Sequence, residues 1–181
     1  MVYMLISEDS FEAYTNRFKR MVEHKFSKKG SELFLKTYRA ESEQVRNLHV
    51  RAKINGRWID NDEPESLGGT DKAATPMETL LASLANCLEI SALLFFSFSK
   101  LKVDSVKINV EGTFDQRAIL KGEEAPLPGF FNIKYYWKIK SKEPRQKILQ
   151  VIKKVNENCP VKATFQNEQE YLESIDIKRE Y

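Results

Sequence analysis

The spacing of hydrophobic positions changes along the chain, from a helical period to strand alternation and back. Near the N-terminus apolar residues recur every three or four positions, which predicts a helix that starts within residues 7–10. Its apolar face consists of Phe11, Tyr14, Phe18, Met21 and Val22. Lys28, Lys29 and Gly30 predict the end of this helix. We therefore divide the chain into an N-terminal helical extension, residues 1–30, and one domain, residues 31–181.

Strand patterns follow the first helix. Residues 33–38 are apolar and aromatic, and residues 45–54 alternate strictly. The alternation predicts one strand whose inward, apolar face carries Arg46, Leu48, Val50, Ala52 and Ile54. The Asn55-Gly56 pair is a strong hairpin signal and predicts a second strand directly after it. Further strands are predicted at residues 103–114, 130–139 and 172–177, with a loop over residues 62–69.

A long apolar helix is predicted in the middle of the chain. Thr75 suits the N-cap, Pro76 the first helical position and Glu78 the third, which together form a capping box. Residues 80–98 are long enough to span a membrane, but Asn86 and Glu89 interrupt them, and we expect a buried central helix instead. A second helix opens at Pro144, and its inner face is predicted to hold Ile148, Val151, Ile152 and Val155. Helices among hairpin-connected strands predict an α+β fold.

Charge and composition narrow the possible partners. The 181 residues include 29 Lys and Arg against 26 Asp and Glu, a net charge of +3 that is too small to indicate nucleic-acid binding. The first residues lack a basic leader and a long apolar run, so we expect no export signal. We therefore expect a cytoplasmic protein without nucleic-acid or membrane partners. In that compartment thiols stay reduced, which favours a redox or core role for cysteines over a permanent disulfide.

Cys87 and Cys159 are the only cysteines of the sequence. Cys87 lies inside the apolar helical run and Cys159 directly after the second helical pattern. A helical thiol and a distant Cys-Pro thiol are candidates for a nucleophile and its resolving partner, although free cysteine is also common in protein cores. The two histidines, His24 and His49, do not give the spacing of a zinc site with these cysteines. We predict neither a metal nor a cofactor.

Four short segments in a fixed order resemble one known family. They are residues 67–71 (LGGTD), 75–78 (TPME), 80–87 (LLASLANC) and 159–161 (CPV). This set is similar to that of the OsmC/Ohr superfamily over about residues 33–177, and residues 62–64 (DEP) resemble its broader OsmC-like branch. The resemblance implies the OsmC-like fold, with antiparallel sheets packed around a long central helix. It also implies an intertwined homodimer with two active sites at the dimer interface.

The same resemblance implies a chemistry for the two thiols. Cys87 would attack an organic hydroperoxide, Cys159 would resolve the sulfenic acid as a disulfide, and a dithiol, often a lipoyl-based one in this family, would reduce it. In the family an arginine from the N-terminal strand region supports the thiolate and a glutamate near the start of the central helix orients it. Among the nearby arginines only Arg46 shares the predicted inward face, so we expect Arg46 and Glu78 to complete the catalytic set.

Two positions depart from the peroxidase pattern. Ohr-type peroxidases carry glutamate directly after the helical proline, where this chain has Met77, and Glu78 follows one residue later. One residue rotates a side chain by about 100° around a helix, so Glu78 would project from another face. Asn86 also stands where a small residue is usual. These departures leave an alternative open: a stress-associated or ligand-binding OsmC-like dimer without efficient peroxidase turnover, in which Glu78 only caps the helix.

Overall fold

The computed structural model of the chain describes residues 5–24, 34–120 and 124–178. The described residues form two separate antiparallel sheets and a long helix that packs on one of them, which confirms the predicted α+β class. In chain order the helices and strands are α1 (Glu8–His24), β1 (Glu41–Arg46), β2 (His49–Ile54), β3 (Arg57–Asn61), α2 (Pro76–Phe98), β4 (Val103–Phe114), β5 (Phe130–Ser141), α3 (Arg145–Asn158) and α4 (Pro160–Gln166).

The first sheet contains β1, β2 and β3, joined in sequence by two hairpins. The hairpin at Asn55-Gly56 is confirmed, since both residues have positive φ, 51° and 75°. The single strand predicted over residues 45–54 is wrong, because a turn at Asn47, with φ of 52°, divides it into β1 and β2. The strand predicted over residues 33–38 is also wrong in its described part, since residues 35–40 belong to no strand.

The central helix α2 begins at the predicted capping box. The Thr75 side chain accepts the backbone N–H of Glu78 at 3.2 Å, and Glu78 accepts the backbone N–H of Thr75 at 2.7 Å. A stripe along the helix is fully buried: Leu84, Leu88, Ala92, Phe96 and Ser97. By length and hydropathy α2 could also cross a membrane, a test that the core helix of a soluble protein passes equally.

The core lies between α2, one face of the second sheet and α3. Along β4 the inward residues alternate as predicted, with Val106 buried and Ile108 and Val110 packed against the core. Strand β5 pairs with β4 in antiparallel register. Helix α3 contributes the buried Val151 and Val155, one turn apart, as its sequence period predicts.

The loop between β3 and α2 is built around one buried carboxylate. Asp62 is only 1% exposed, and it accepts hydrogen bonds from the Thr70 hydroxyl at 2.6 Å and from the backbone N–H groups of Glu63, Thr70 and Lys72. A side chain at Gly69 would overlap the Glu63 carbonyl, so the close approach of the two segments requires glycine. The double-glycine motif therefore holds the start of α2 against the end of β3.

The helix predicted near the N-terminus is confirmed as α1, which begins at Glu8. Helix α1 packs its Phe11 and Phe18 rings on Phe98 at the end of α2. Its predicted end and the domain boundary at residue 30 lie outside the described residues. The strand predicted over residues 172–177 is wrong for this single chain: the segment pairs with no strand, and its apolar side chains are exposed. The short helix α4, directly after Cys159, was not predicted.

Candidate active site

The fold brings the two cysteines into contact although 72 positions separate them in sequence. The Cys159 thiol donates a hydrogen bond to Cys87 Sγ, and the two sulfurs are 3.3 Å apart. Both are free thiols, Cys87 partly exposed and Cys159 buried with 1% of its surface accessible. The pair therefore consists of a partly accessible cysteine in direct contact with a buried one.

Cys159 holds its place because it is the single residue between α3 and α4. It ends one helix, and Pro160 opens the next, where a proline needs no hydrogen-bond partner for its nitrogen. Asn156 ties this corner to the second sheet, since its side chain accepts the Tyr135 hydroxyl at 3.0 Å. The Asn156 carbonyl also accepts Lys162 Nζ at 3.1 Å. Sequence reasoning missed these supports, because nothing in the local pattern connects Tyr135 with residue 156.

Burial sets the protonation state of Cys159. Removal of this thiol from water raises its pKa above 9.0, and the smaller opposing effect of the Lys162 backbone N–H does not cancel the rise. Its contact with Cys87 acts in the same direction as burial. Cys159 is therefore a neutral thiol at pH 7, the form that donates a hydrogen bond to the neighbouring sulfur.

Arg46 does not occupy the inward position that the alternation predicts. It ends β1 next to the Asn47 turn, is exposed, and pairs with His49, whereas the regular register of β1 and β2 would place it opposite Leu48. A register irregularity between Gln44 and Arg46 produces this change of position. Within the described part of the chain no arginine donates a hydrogen bond to Cys87. The predicted contact between Arg46 and this thiol is therefore absent from the single chain.

Arg51, which the alternation placed on the solvent side, has a defined neighbourhood. Its guanidinium donates to Asp60 Oδ1 from Nε at 3.2 Å and from Nη2 at 3.1 Å. His49 Nε2 lies 3.0 Å from the same oxygen, and these two partners, His49 first, lower the pKa of Asp60. The Arg51 side chain also lies over the Trp58 ring at 5.4 Å.

Glu78 is exposed and engaged at the start of α2. The Thr75 backbone N–H and hydroxyl, at 2.7 and 3.0 Å, lower the pKa of its carboxyl group. Nine residues along a helix correspond to about 13 Å of rise and about half a turn beyond two full turns, so Glu78 and Cys87 lie on opposite faces of α2. The structure thus supports the capping role of Glu78 and gives it no direct contact with the thiol.

Of the four predicted site residues, the chain alone brings together Cys87 and Cys159. Arg46 and Glu78 stay apart from them, and their catalytic roles remain predictions. Among the residues that the structure describes, no three His, Cys, Asp or Glu side chains are grouped as they would be around a metal ion. The site that the observed contacts support is a pair of thiols, and the chemistry of such a pair is reversible thiol oxidation.

Comparison with known proteins agrees with this fold. The family model described as OsmC-like protein matches residues 69–171, which is more than half of the chain and includes both cysteines. No functionally curated protein matches the chain.

Solved structures share the architecture at low sequence identity. An OsmC-like protein from Mycoplasma pneumoniae aligns with a TM-score of 0.63 and 23% identity, over 72% of this chain and 88% of that one. An organic hydroperoxide resistance protein OsmC from Legionella pneumophila, also described as a predicted redox protein, gives 0.53 and 22%, over 73% and 90%. An organic hydroperoxide resistance protein from Elizabethkingia anophelis gives 0.57 and 18%, over 73% and 89%. With the ordered motifs and the family match, these similarities lead to one conclusion: the chain belongs to the OsmC-like protein family.

Proposed function

We propose that the protein is a thiol peroxidase that reduces organic hydroperoxides through Cys87 and Cys159. The observation that carries the proposal is the 3.3 Å contact between a partly exposed and a buried sulfur. Two solved relatives of the same fold are described as organic hydroperoxide resistance proteins, which supports the choice of substrate class. The Cys87 thiolate would be the nucleophile, since it is the sulfur that the solvent reaches.

The proposed cycle has three steps. The Cys87 thiolate attacks the terminal oxygen of the hydroperoxide, the O–O bond breaks, and an alcohol leaves as Cys87 becomes a sulfenic acid. Cys159 then attacks the Cys87 sulfur, which forms a disulfide and releases the hydroxyl group as water. An external dithiol, such as a lipoyl-based one, reduces the disulfide and restores two thiols. A reducing compartment supplies such a dithiol, so we propose a cytoplasmic location.

We also propose that the active form is a homodimer. No residue of β1, β2 or β3 is buried, and apolar side chains such as Leu48, Trp58 and Ile59 remain 40% or more exposed on this sheet. Helix α2 likewise exposes Leu80 and Ile90. Exposed apolar surface of this extent is typical of an interaction site, and a second copy would cover it. The exposed Arg46 could then approach the thiol pair of that second copy.

One observation favours a different function. Glu78 Oε2 accepts both hydrogen bonds of the helix cap, and the single chain provides Cys87 with no cationic partner among the described residues. An OsmC-like dimer that binds a ligand or senses oxidation, without efficient turnover, would need neither a glutamate at the site nor a cation beside Cys87. The two functions differ in whether hydroperoxide is consumed continuously. Formation of a disulfide does not distinguish them, because both functions allow it.

Turnover tests the peroxidase proposal directly. Consumption of tert-butyl hydroperoxide is measured with dihydrolipoamide as reductant, for the wild type and for Cys87→Ser and Cys159→Ser. We expect turnover by the wild type, none by Cys87→Ser, and a single oxidation event without turnover for Cys159→Ser. Stoichiometric thiol oxidation by the wild type without continued consumption would instead favour the alternative function.

The role of Arg46 has its own measurement. The pH dependence of Cys87 alkylation is recorded in the Cys159→Ser background, with Arg46→Ala compared with Arg57→Ala. Arg57 is an exposed arginine of the same sheet, so both variants remove one positive charge from it. If Arg46 supports the thiolate, only Arg46→Ala moves the midpoint upward, by about one pH unit for about 1.4 kcal/mol of lost stabilisation. Equal profiles would remove Arg46 from the site.

A further inference from the structure

A groove of about 720 Å³ lies between α1 and the C-terminal end of α2. One wall consists of Phe11, Phe18 and Val22 from α1, and the other of Phe95 and Phe98 from α2. The Phe98 ring contacts those of Phe11 and Phe18, with centroids 5.2 and 5.6 Å apart, and closes one side of the groove. Its volume falls within the range of small-molecule sites in proteins, about 300–1,000 Å³.

The apolar wall remains open to water. No residue of α1 is buried, and Phe18 and Val22 are 46% and 62% exposed. The Thr15 hydroxyl, which also lines the groove, donates its hydrogen to the Phe11 carbonyl at 2.8 Å and is therefore not available as a donor to a ligand. An apolar ligand would gain free energy by removing this apolar surface from water, and it would break no hydrogen bond of the wall.

The charged side chains of the groove indicate the charge of the ligand's head group. Lys19 from α1 and Lys154 from α3 both line it, with Glu23 as the single acidic residue. Within the described ranges neither lysine forms an ion pair, whereas the adjacent Lys153 pairs with Glu157 at 3.9 Å. Two unpaired ammonium groups against one carboxylate give the groove a net positive charge, which complements an anionic head group.

The groove is separate from the thiol pair. Phe95 follows Cys87 by eight residues, which places this wall about 12 Å further along the α2 axis. Helix α1 also precedes the residues that the OsmC-like family model matches, 69–171, so one wall comes from outside the matched segment. The groove therefore does not include the thiol pair, and the proposal for it does not rest on the proposed peroxidase reaction.

We propose that this groove binds a free, unbranched monocarboxylate. The apolar chain lies along the phenylalanine wall, and the carboxylate meets Lys19 and Lys154. From Phe11 to Lys19 the α1 wall extends about 12 Å along the helix, a length that suits a chain of about ten carbons. The ligand class follows from the combination of an open aromatic wall with two lysines that line the same groove and form no ion pair within the described ranges.

Calorimetric titration of the full chain tests the ligand chemistry. Sodium decanoate is compared with sodium octanoate, 1-decanol and decyltrimethylammonium, all below their micelle concentrations. We expect decanoate to bind with one molecule per chain, and octanoate about tenfold more weakly because it lacks two methylene groups. Decanol should bind more weakly than decanoate, and the ammonium compound weakest. Equal affinity for all four, or none for decanoate, would overturn the proposal.

Two adjacent lysines supply a matched pair of variants. Lys154→Gln removes a charge from the groove, and Lys153→Gln removes one from the same helix outside it. We expect Lys154→Gln to weaken decanoate binding about three- to fivefold and Lys153→Gln to leave it unchanged. Val22→Glu, at an exposed position, should abolish binding while circular dichroism shows the fold intact. Identical affinities for both lysine variants would refute the predicted carboxylate position.

Two other occupants of the groove would also overturn the proposal. Co-sedimentation with phosphatidylglycerol vesicles, in the absence of binding to monomeric decanoate, would show a membrane surface to be the partner. Decanoate binding that weakens as protein concentration rises would show that a second copy of the chain covers the groove. Binding that is independent of protein concentration, and stronger for decanoate monomers than for vesicles, supports the free carboxylate.

Discussion

Oxidation of the thiol pair is expected to stabilise the protein by a calculable amount. The sulfurs are 3.3 Å apart, so a disulfide of about 2.05 Å needs a closure of only about 1.3 Å. The bond would close a loop of 72 positions in the unfolded chain. In the chain-entropy treatment, such a loop adds about 4 kcal/mol to the free energy of unfolding at 25 °C.

The assay compares one protein in two redox states. The chain is treated with tert-butyl hydroperoxide, the loss of two hydrogens is confirmed by intact mass, and urea denaturation is followed at one fixed protein concentration. We expect the free energy of unfolding to rise by about 2–4 kcal/mol on oxidation, the lower figure allowing for strain in the folded state. Added dithiol should reverse the gain.

Two controls make the result specific. Cys87→Ser and Cys159→Ser each lack one sulfur, so oxidant should leave their unfolding free energies unchanged. If the wild type loses no hydrogens under oxidant, the resolving-pair mechanism fails. If it loses two but becomes less stable, the contact between α2 and the corner of α3 and α4 is not compatible with a disulfide, and the geometric reasoning is refuted.

Three further predictions concern the framework of the site, and denaturation measures each. Leu88→Ala should cost about 2–5 kcal/mol of unfolding free energy, because Leu88 is fully buried beside Cys87 on α2. Gly69→Ala should cost about 1–3 kcal/mol, because the new Cβ overlaps the Glu63 carbonyl; an unchanged value would contradict the close approach. Hydrogen bonds, that from Thr70 foremost, lower the Asp62 pKa below 3.8, so its contribution is complete above pH 3.8 and lost as pH falls through the folded value. The unfolding free energy of Asp62→Asn should therefore decline less steeply than that of the wild type below pH 3.8.

The parts of the fold that sequence predicted correctly depend on neighbouring residues. The start of α2 follows from Thr75, Pro76 and Glu78, whose capping interactions span only four positions. The Asn55-Gly56 hairpin follows from two residues that accept positive φ. The family assignment succeeded for a related reason: several short motifs in order identify a family better than any one of them.

The errors arose where distant or competing interactions determine the conformation of a segment. Asn47 adopts positive φ without a following glycine, so an unbroken alternation concealed a turn and misplaced Arg46. The alternation of residues 172–177 predicted a strand, but a strand needs a partner edge, and the single chain offers this segment none. The contact between Cys87 and Cys159 could be suspected from the motifs, whereas its distance required the fold, because no local pattern spans 72 positions.

The division of the strands into two unconnected sheets has a consequence for hydrogen exchange. Strands β4 and β5 cover a core in which Val106 is buried, so their amides should exchange only through large-scale unfolding. Strands β1, β2 and β3 bury no side chain within the chain, so their amides should exchange by local opening of the sheet. Amide protection in this sheet therefore reports on association with a second chain. If exchange is slow and becomes faster on dilution, its concentration dependence gives the free energy of that association.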